Sequence, residues 1–321
     1  MKRRLLQTLR TDWFGPLAII VAASVGITLF NPSFLSPFNI QILMLAAAVN
    51  VVVAMSQMII IAIGQMNLAV GAIGGLAAIS FAGLMQVWAF PPALAAAAAL
   101  AIGVAAGLLN GALIAGTGIS AFIITLASLS IFKGADLGVT RAQPFYNIPA
   151  QVKAFGNATM LGPIPWLALP AALVVVGMWR LLNRQKIGRY ILAVGGNASA
   201  AELSGVSIAR TILWAHGISG FLAALAGVML VARLQIGQPS IGDDWLILSF
   251  AAPVIGGAAL SGGHVSVFGT LFGVLIVAII TQALVIFRID PFFVQVVLGL
   301  LILAAVGLNR LRELRFAGAR A

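Results

Sequence analysis

Charged positions in this chain are rare and bunched, and long apolar stretches run between them. Residues 13–132 contain no Asp, Glu, Lys or Arg, and further uncharged stretches cover 154–179, 211–232, 245–287 and 291–309. A hydrocarbon core about 30 Å thick takes about 20 apolar residues per helical crossing. Gly, Pro, Asn and Ser clusters punctuate the stretches and divide them into ten predicted spans. These are roughly 15–30, 40–63, 70–88, 93–115, 119–137, 164–182, 211–232, 245–260, 267–287 and 291–308. The eighth is short and carries Pro253 and the Gly256-Gly257 pair. It reads either as a full crossing or as a broken, half-penetrating helix. The start at Met1, Lys2, Arg3 and Arg4 has the outline of a signal peptide. No small-residue cleavage site precedes the Asn31-Pro32-Ser33 turn, so the run reads as an uncleaved first span.

Composition agrees with that pattern. Of the 321 residues, 62% are hydrophobic and 8% charged, against about 25% charged in an ordinary soluble domain. The net charge of +11 raises nucleic acid as a partner. The basic residues form no aromatic-rich face of their own, however, and sit at the borders of apolar runs, where they act as topogenic charge. No nucleic acid partner is expected. With both termini cytoplasmic, thirteen of the eighteen basic residues lie inside, and only Lys133, Arg141, Lys153, Arg233 and Arg288 lie outside. The expected fold is therefore all-α: a polytopic helical membrane protein of about ten transmembrane helices, with residues 1–321 forming one transmembrane domain. Without cysteine there is no disulfide, thiolate or Cys-ligated metal. His216 and His264 are far apart and form no metal motif, so neither metal nor cofactor is expected.

Two local patterns stand out. Gly64, Gly71 and Gly75 are echoed at a constant offset by Gly262, Gly269 and Gly273. This is either a parallel internal repeat or a set of independent small-residue helix contacts. The longest cytoplasmic loop, 183–210, exceeds what a connector needs. Within it, Ser199 and Glu202 have capping-box spacing, and Gly195-Gly196 and Gly205 bracket a helix of one to two turns. It reads either as a docking knob for a soluble partner or as an ordinary ordered loop.

These same residues carry a resemblance. The run AVGGNASAAELSGV (193–206) resembles the cytoplasmic loop of ribose-type ABC sugar permeases, A-x-G-x-N-x-x-A-A-x-x-S-G-I/V. GQMNLAVG (64–71) resembles that family's G-G-I-D-L-S-V-G. SAFIITL (120–126) resembles its P/S-x-F-I-V-T-L, and 254–263 its V-I-G-G-x-x-L-x-G-G. The four patterns occur in the family's order between about 40 and 308, and branched-chain amino acid permeases share the overall plan. Gln65, Met66 and Asn67 depart from the family's Gly-Ile-Asp, which leaves an amide where a carboxylate is usual. The resemblance implies a permease subunit of the bacterial inner membrane with no catalytic residue. It would pair with a second permease subunit, dock cytoplasmic ATP-binding subunits, and receive a simple sugar from an extracytoplasmic binding protein. Gly195, Asn197, Ser199, Ala201, Glu202, Ser204 and Gly205 would then form the ATPase-coupling element. No G-x-x-x-x-G-K-[ST] surrounds any lysine, which agrees with ATP being bound on another chain.

A path for a neutral polyol needs hydrogen-bonding groups and small or aromatic walls. Asn50, Gln57, Asn67, Asn110, Thr125, Gln282 and Gln295 are candidates, with Phe122 as a stacking ring. Each amide either faces a watery path or bonds a neighbouring helix. Asp243 and Asp244 border the eighth span on the outer side, where they either meet a binding protein or are simply solvated. Branched-chain amino acids and nucleosides remain alternative cargoes. An ion-coupled secondary transporter needs a coupling-ion carboxylate inside the bilayer, which the long uncharged runs disfavour. A membrane-embedded enzyme needs a clustered nucleophile or metal set, which the sequence lacks.

Overall fold

The computed structural model describes residues 14–290 and, beyond them, 293, 295–297, 299–300, 303–304 and 307. Helix α1 spans Phe14–Phe30, and a 3-10 turn at Pro32–Leu35 leads into α2, Pro37–Ala62. Asn31 caps the turn and Ser36 caps α2, so the Asn-Pro-Ser cluster closes one helix and opens the next. Then follow α3 (Val70–Gln86), α4 (Pro92–Thr117), α5 (Ala121–Thr140) and a short α6 (Ala150–Asn157). A small antiparallel hairpin pairs Thr159–Leu161 with Ile164–Pro165. The chain continues through α7 (Ala168–Arg184), α8 (Lys186–Gly196), α9 (Ala198–Leu203), α10 (Ile208–Leu234), α11 (Trp245–Ile255) and α12 (Val267–Ile286).

Five of these helices, α2, α4, α5, α10 and α12, are long and apolar enough to cross a membrane. The protein is an all-α, multi-pass membrane protein. Each of the first nine predicted spans contains a helix. Half of the tenth, at 291–308, lies outside the described residues, as do both termini.

The centre of the bundle is α2, buried almost without interruption from Leu45 to Ala62, with α10 beside it. Lipid offers no hydrophobic drive to bring helices together, so small residues that let backbones touch hold such contacts. Gly103 and Gly107 of α4 face Gly220 of α10, and a Cβ at Gly107 would collide with the His216 carbonyl. The basic end of the bundle carries Arg180, Arg184, Lys186, Arg189 and Arg210, together with α8, α9 and the turns at 63–69 and 256–266. The opposite end carries α6, the hairpin and the 235–244 segment.

Three expectations change. Helix α11 has 11 residues, about 16 Å of rise, so the eighth span is a short, broken helix rather than a full helical crossing. The chain turns at Gly256 and Gly257 (φ +88°) and runs irregularly to Ser266. Such backbone survives at depth only where protein satisfies it. Here Ala259 N–H donates to the His264 carbonyl and Gly263 N–H to the Ala62 carbonyl, both at 3.0 Å. Second, the 183–210 loop is mostly helical: Gly195-Gly196 end a further helix, α8, and with Gly205 they bracket α9, the expected helix of one to two turns. Third, α9 is not closed by a Ser199–Glu202 box. Asn197 sits in extended backbone (φ −160°), and its Oδ1 accepts from Ala200 N–H at 2.9 Å. Its own N–H finishes α8 by donating to the Ala193 carbonyl. One residue thus ends one helix and starts the next, and Ser199 falls inside the first turn.

The echoing glycines meet. Gly64 and Gly262 both adopt left-handed backbone (φ +78° and +91°), and a Cβ on Gly262 would lie 2.6 Å from Gly64 Cα. Gly195 wedges against Ala62 and Gly263 at the same spot. The following glycines grip the two ends of one short helix. Gly71 and Gly75 of α3 seat Gly242 and Ile241 just before α11, while Gly269 and Gly273 of α12 seat Gly256 and Ala252 at its end.

Candidate functional site

A cavity of about 630 Å³ opens between α2, the end of α10, α11 and α12. Asn50, from the middle of α2, and Thr281 and Gln282, from the last turns of α12, contribute polar groups, and Gln295 lines it beyond α12. Gln282 Nε2 donates to Asn39 Oδ1 at 3.2 Å, which ties α12 to the start of α2 beside the cavity. The remaining wall is apolar, from Leu43, Ala46, Val49, Leu248 and Val277. Trp245 forms part of the lining with its ring buried against Gly74, where any Cβ would strike it.

Charge gathers at the mouth, where Arg233, Asp243 and Asp244 lie. Asp243 accepts from Lys133 Nζ at 2.5 Å, and the same ammonium reaches the Pro239 carbonyl. That pair straps the end of α5 to the 235–244 segment. Asp244 is solvent-accessible but recessed in the mouth. Burial there pushes its carboxyl above the ordinary aspartate value, and the neighbouring Asp243 adds to the effect, against a backbone hydrogen bond that lowers it. The cavity therefore combines a charged mouth with an uncharged interior that offers amides and a hydroxyl.

Of the predicted path residues, Asn50, Gln282 and Gln295 come together here. Gln57, Asn67 and Thr125 gather elsewhere, around the turn at 63–69. Asn67 Oδ1 accepts from Ala69 N–H at 2.9 Å, and its Nδ2 donates to Ser219 Oγ at 3.3 Å. The Gln57 amide, oriented to satisfy both of its atoms, donates to the Asn67 carbonyl at 3.1 Å and accepts from its N–H at 3.2 Å. Thr125 Oγ1 accepts from Leu68 N–H at 3.1 Å and donates to the Ala121 carbonyl at 2.7 Å. His216 Nε2 meets Gln65 Oε1 at 3.0 Å. These side chains hold a non-helical turn inside the bundle by meeting its backbone groups. Asn110 is also buried away from the cavity and accepts from the Ser128 hydroxyl at 2.6 Å. Phe122, 49% exposed at the start of α5, does not line the cavity, and only its carbonyl meets Thr125 Oγ1.

Sequence reasoning passed over Asp136, a buried carboxylate in α5 whose Oδ1 has no partner. It also passed over Arg233, Thr281 and Trp245 as cavity walls. The spacing of Lys133 and Asp136, three apart on one helix, was the available signal.

At the basic end, α9 stands out from the bundle. Ala201 is buried beneath it and Glu202, Leu203 and Ser204 are exposed. Leu203 is 91% exposed, an apolar side chain held in water at the tip of a capped helix. Gly205 follows in left-handed backbone (φ +83°), the usual helix stop. Among the described residues no group of three His, Asp or Glu stands close enough to hold a metal.

Comparison with known proteins gives a consistent picture. The family described as "Branched-chain amino acid transport system / permease component" matches residues 39–306. The chain is similar to the ribose import permease protein RbsC of Bacillus subtilis (strain 168), at 36% identity over 92% of each chain. It is likewise similar to the D-allose transport system permease protein AlsC of Escherichia coli (strain K12), at 35% identity over 93% of this chain and 90% of the relative. The L-arabinose transport system permease protein AraH of the same strain is 33% identical over 94% and 92%. No solved structure matches the chain.

Proposed function

The chain belongs to the branched-chain amino acid transport system / permease component family, and from that membership we propose that it is the membrane-spanning subunit of an ABC importer carrying a simple sugar. In this reading the cargo is a monosaccharide or related polyol, and separate ATPase subunits supply the work. The observation that carries the cargo is the cavity. A neutral polyol presents hydroxyls that both donate and accept, and Asn50, Thr281, Gln282 and Gln295 do the same from an otherwise apolar wall. The relatives named for ribose, allose and arabinose support the same class.

The partners follow from the two ends. Leu203 on α9 offers the apolar contact a cytoplasmic ATPase needs, and Asn197, Ser199, Ala201, Glu202, Ser204 and Gly205 build or flank the knob, with Gly195 beneath it. The mouth, with Asp243 and Asp244, is the landing side for an extracytoplasmic sugar-binding protein. A second permease subunit completes the translocating unit in a bacterial inner membrane. In this reading ten spans with both termini cytoplasmic go with a basic end that faces inside, in line with positive-inside bias.

A branched-chain amino acid is the second reading. Arg233 and the Asp243–Asp244 pair offer both signs of charge that a zwitterion needs. The two are separated in vesicles that contain the chain, its ATPases and its binding protein. Asn50→Leu and Gln282→Leu should each lower sugar uptake about three- to tenfold, the loss of one or two hydrogen bonds, while ATPase association stays at the wild-type level. Wild-type sugar uptake in both variants, or competition by leucine in place of sugars, overturns the sugar assignment.

A further inference from the structure

At the foot of the coupling knob lies a second, smaller cavity of about 280 Å³, formed where α8, the Gly205–Ser207 link and the first turns of α10 converge. Its polar lining is Arg210, Ser207 and Thr211, and its rings are Tyr190 and Trp214. We propose that this pocket binds the phosphate of an anionic phospholipid headgroup from the surrounding leaflet. The proposal goes beyond sugar transport and rests only on the basic end facing a leaflet that contains anionic lipid.

Charge is the first ground. Arg210 is the pocket's charged group, no carboxylate lines it, and among the described residues Arg210 makes no ion pair. A guanidinium left without an anion in a recess matches the geometry of phosphate, which it binds through two parallel hydrogen bonds. Lys186 and Arg189, exposed on α8, add positive potential at the rim.

Depth is the second ground. Tyr190 on α8 is 44% exposed and Trp214, near the start of the membrane-crossing α10, 54%, both large rings half in and half out of the protein. Rings of this kind settle at headgroup level. Helix α8 itself buries Gly188, Ile191 and Val194 on one side and presents Lys186, Arg189 and Tyr190 on the other, the layout of a helix lying in the interface. A free phosphate would gain nothing from these rings, whereas a lipid can place its glycerol and first methylenes against them. The start of α10 also points its positive end at the pocket, with Ser207 Oγ already engaged by Arg210 N–H.

Position gives the consequence. Gly205 both lines the pocket and terminates α9. A headgroup held here braces the base of the element assigned to ATPase docking.

The test uses the full-length chain in neutral detergent. Phosphatidylglycerol, phosphatidylcholine or inorganic phosphate is titrated in, and the midpoint of protection against thermal unfolding is read. We expect protection by phosphatidylglycerol at concentrations where phosphatidylcholine and inorganic phosphate give none. R210Q should raise the phosphatidylglycerol midpoint at least tenfold. Arg184→Gln, a basic residue outside the pocket, should raise it no more than about fivefold, the share of any single juxtamembrane charge. Trp214→Leu should weaken phosphatidylglycerol protection while Arg210 is intact, which guards against R210Q acting through misfolding. Equal shifts for R210Q and Arg184→Gln mean diffuse attraction and overturn the pocket. Protection by inorganic phosphate alone overturns the lipid as its source. An R210Q defect confined to ATPase association, with lipid protection unchanged, makes the pocket a protein contact and ends the proposal.

Discussion

Asn67 uses both sides of its amide, and its surroundings explain why an amide suits this place. The oxygen accepts from Ala69 N–H, and the nitrogen donates to Ser219. Truncation to Ala leaves the buried Ala69 N–H without this acceptor, at about 1–3 kcal/mol for an unsatisfied group, and takes one of two partners from Ser219 Oγ, which keeps Ser56 Oγ at 3.1 Å. N67A should therefore lower the unfolding temperature of the purified chain clearly. N67D should lower it less, because the carboxylate still accepts from Ala69 N–H, sits at the N-terminal end of α3, and can accept from the Ser219 hydroxyl when that group turns from Ser56 Oγ. If N67D is as damaging as N67A, the bonding scheme around the turn is wrong. At this scale the sequence told only half. Asn50 and Gln57 lie seven apart on α2, two turns on one face, so periodicity could not separate them. Depth separates them: Asn50 meets the open cavity, while Gln57 lies beside the inward-folded turn at 63–69. That turn's path is a tertiary fact, visible only once α3 and α10 are packed around it.

Among the elements, α9 is where local rules and tertiary context diverge. A short helix ending at Gly205 was legible from composition, because few residues other than glycine accept φ +83°. Its cap was not. Ser199 and Glu202 satisfy the spacing of a capping box, but Asn197 is needed to close α8 in extended backbone and takes the N-cap of α9 in the same step. Glu202 then caps nothing. Asn197→Ala should loosen α9 by about 1 kcal/mol and reduce both sugar uptake and ATPase co-purification, whereas Glu202→Ala should leave the helix ordered. Leu203→Ser keeps the helix and removes its apolar tip, so it should weaken ATPase association while leaving thermal stability unchanged. Wild-type association in both Asn197→Ala and Leu203→Ser would exclude α9 as the coupling contact. The half-length α11 was foreshadowed by Pro253 and the paired glycines. What holds it was not, since its two ends are seated by glycines from helices almost two hundred residues apart.

For the whole molecule, the long uncharged runs made the membrane class plain, because no soluble surface can be built from them. The partition of basic residues between two ends likewise follows from the loops alone. The layout of the interior does not. It depends on backbone-to-backbone contacts at Gly103, Gly107 and Gly220, and on the junction of Gly64, Gly195 and Gly262, whose partners no periodicity reveals. That junction joins the knob at 197–205 to both echoing turns, and through α3 and α12 to the ends of α11 beside the cavity. The central claim is that this chain conducts sugar only when driven by separate ATPase subunits acting through that end. It is tested most directly by measuring sugar accumulation in vesicles that hold the chain alone under an imposed proton or sodium gradient, and in matched vesicles that also hold its ATPases, binding protein and ATP. The account predicts accumulation only in the second set and no ATP hydrolysis by the lone chain. Gradient-driven accumulation by the chain alone would contradict it.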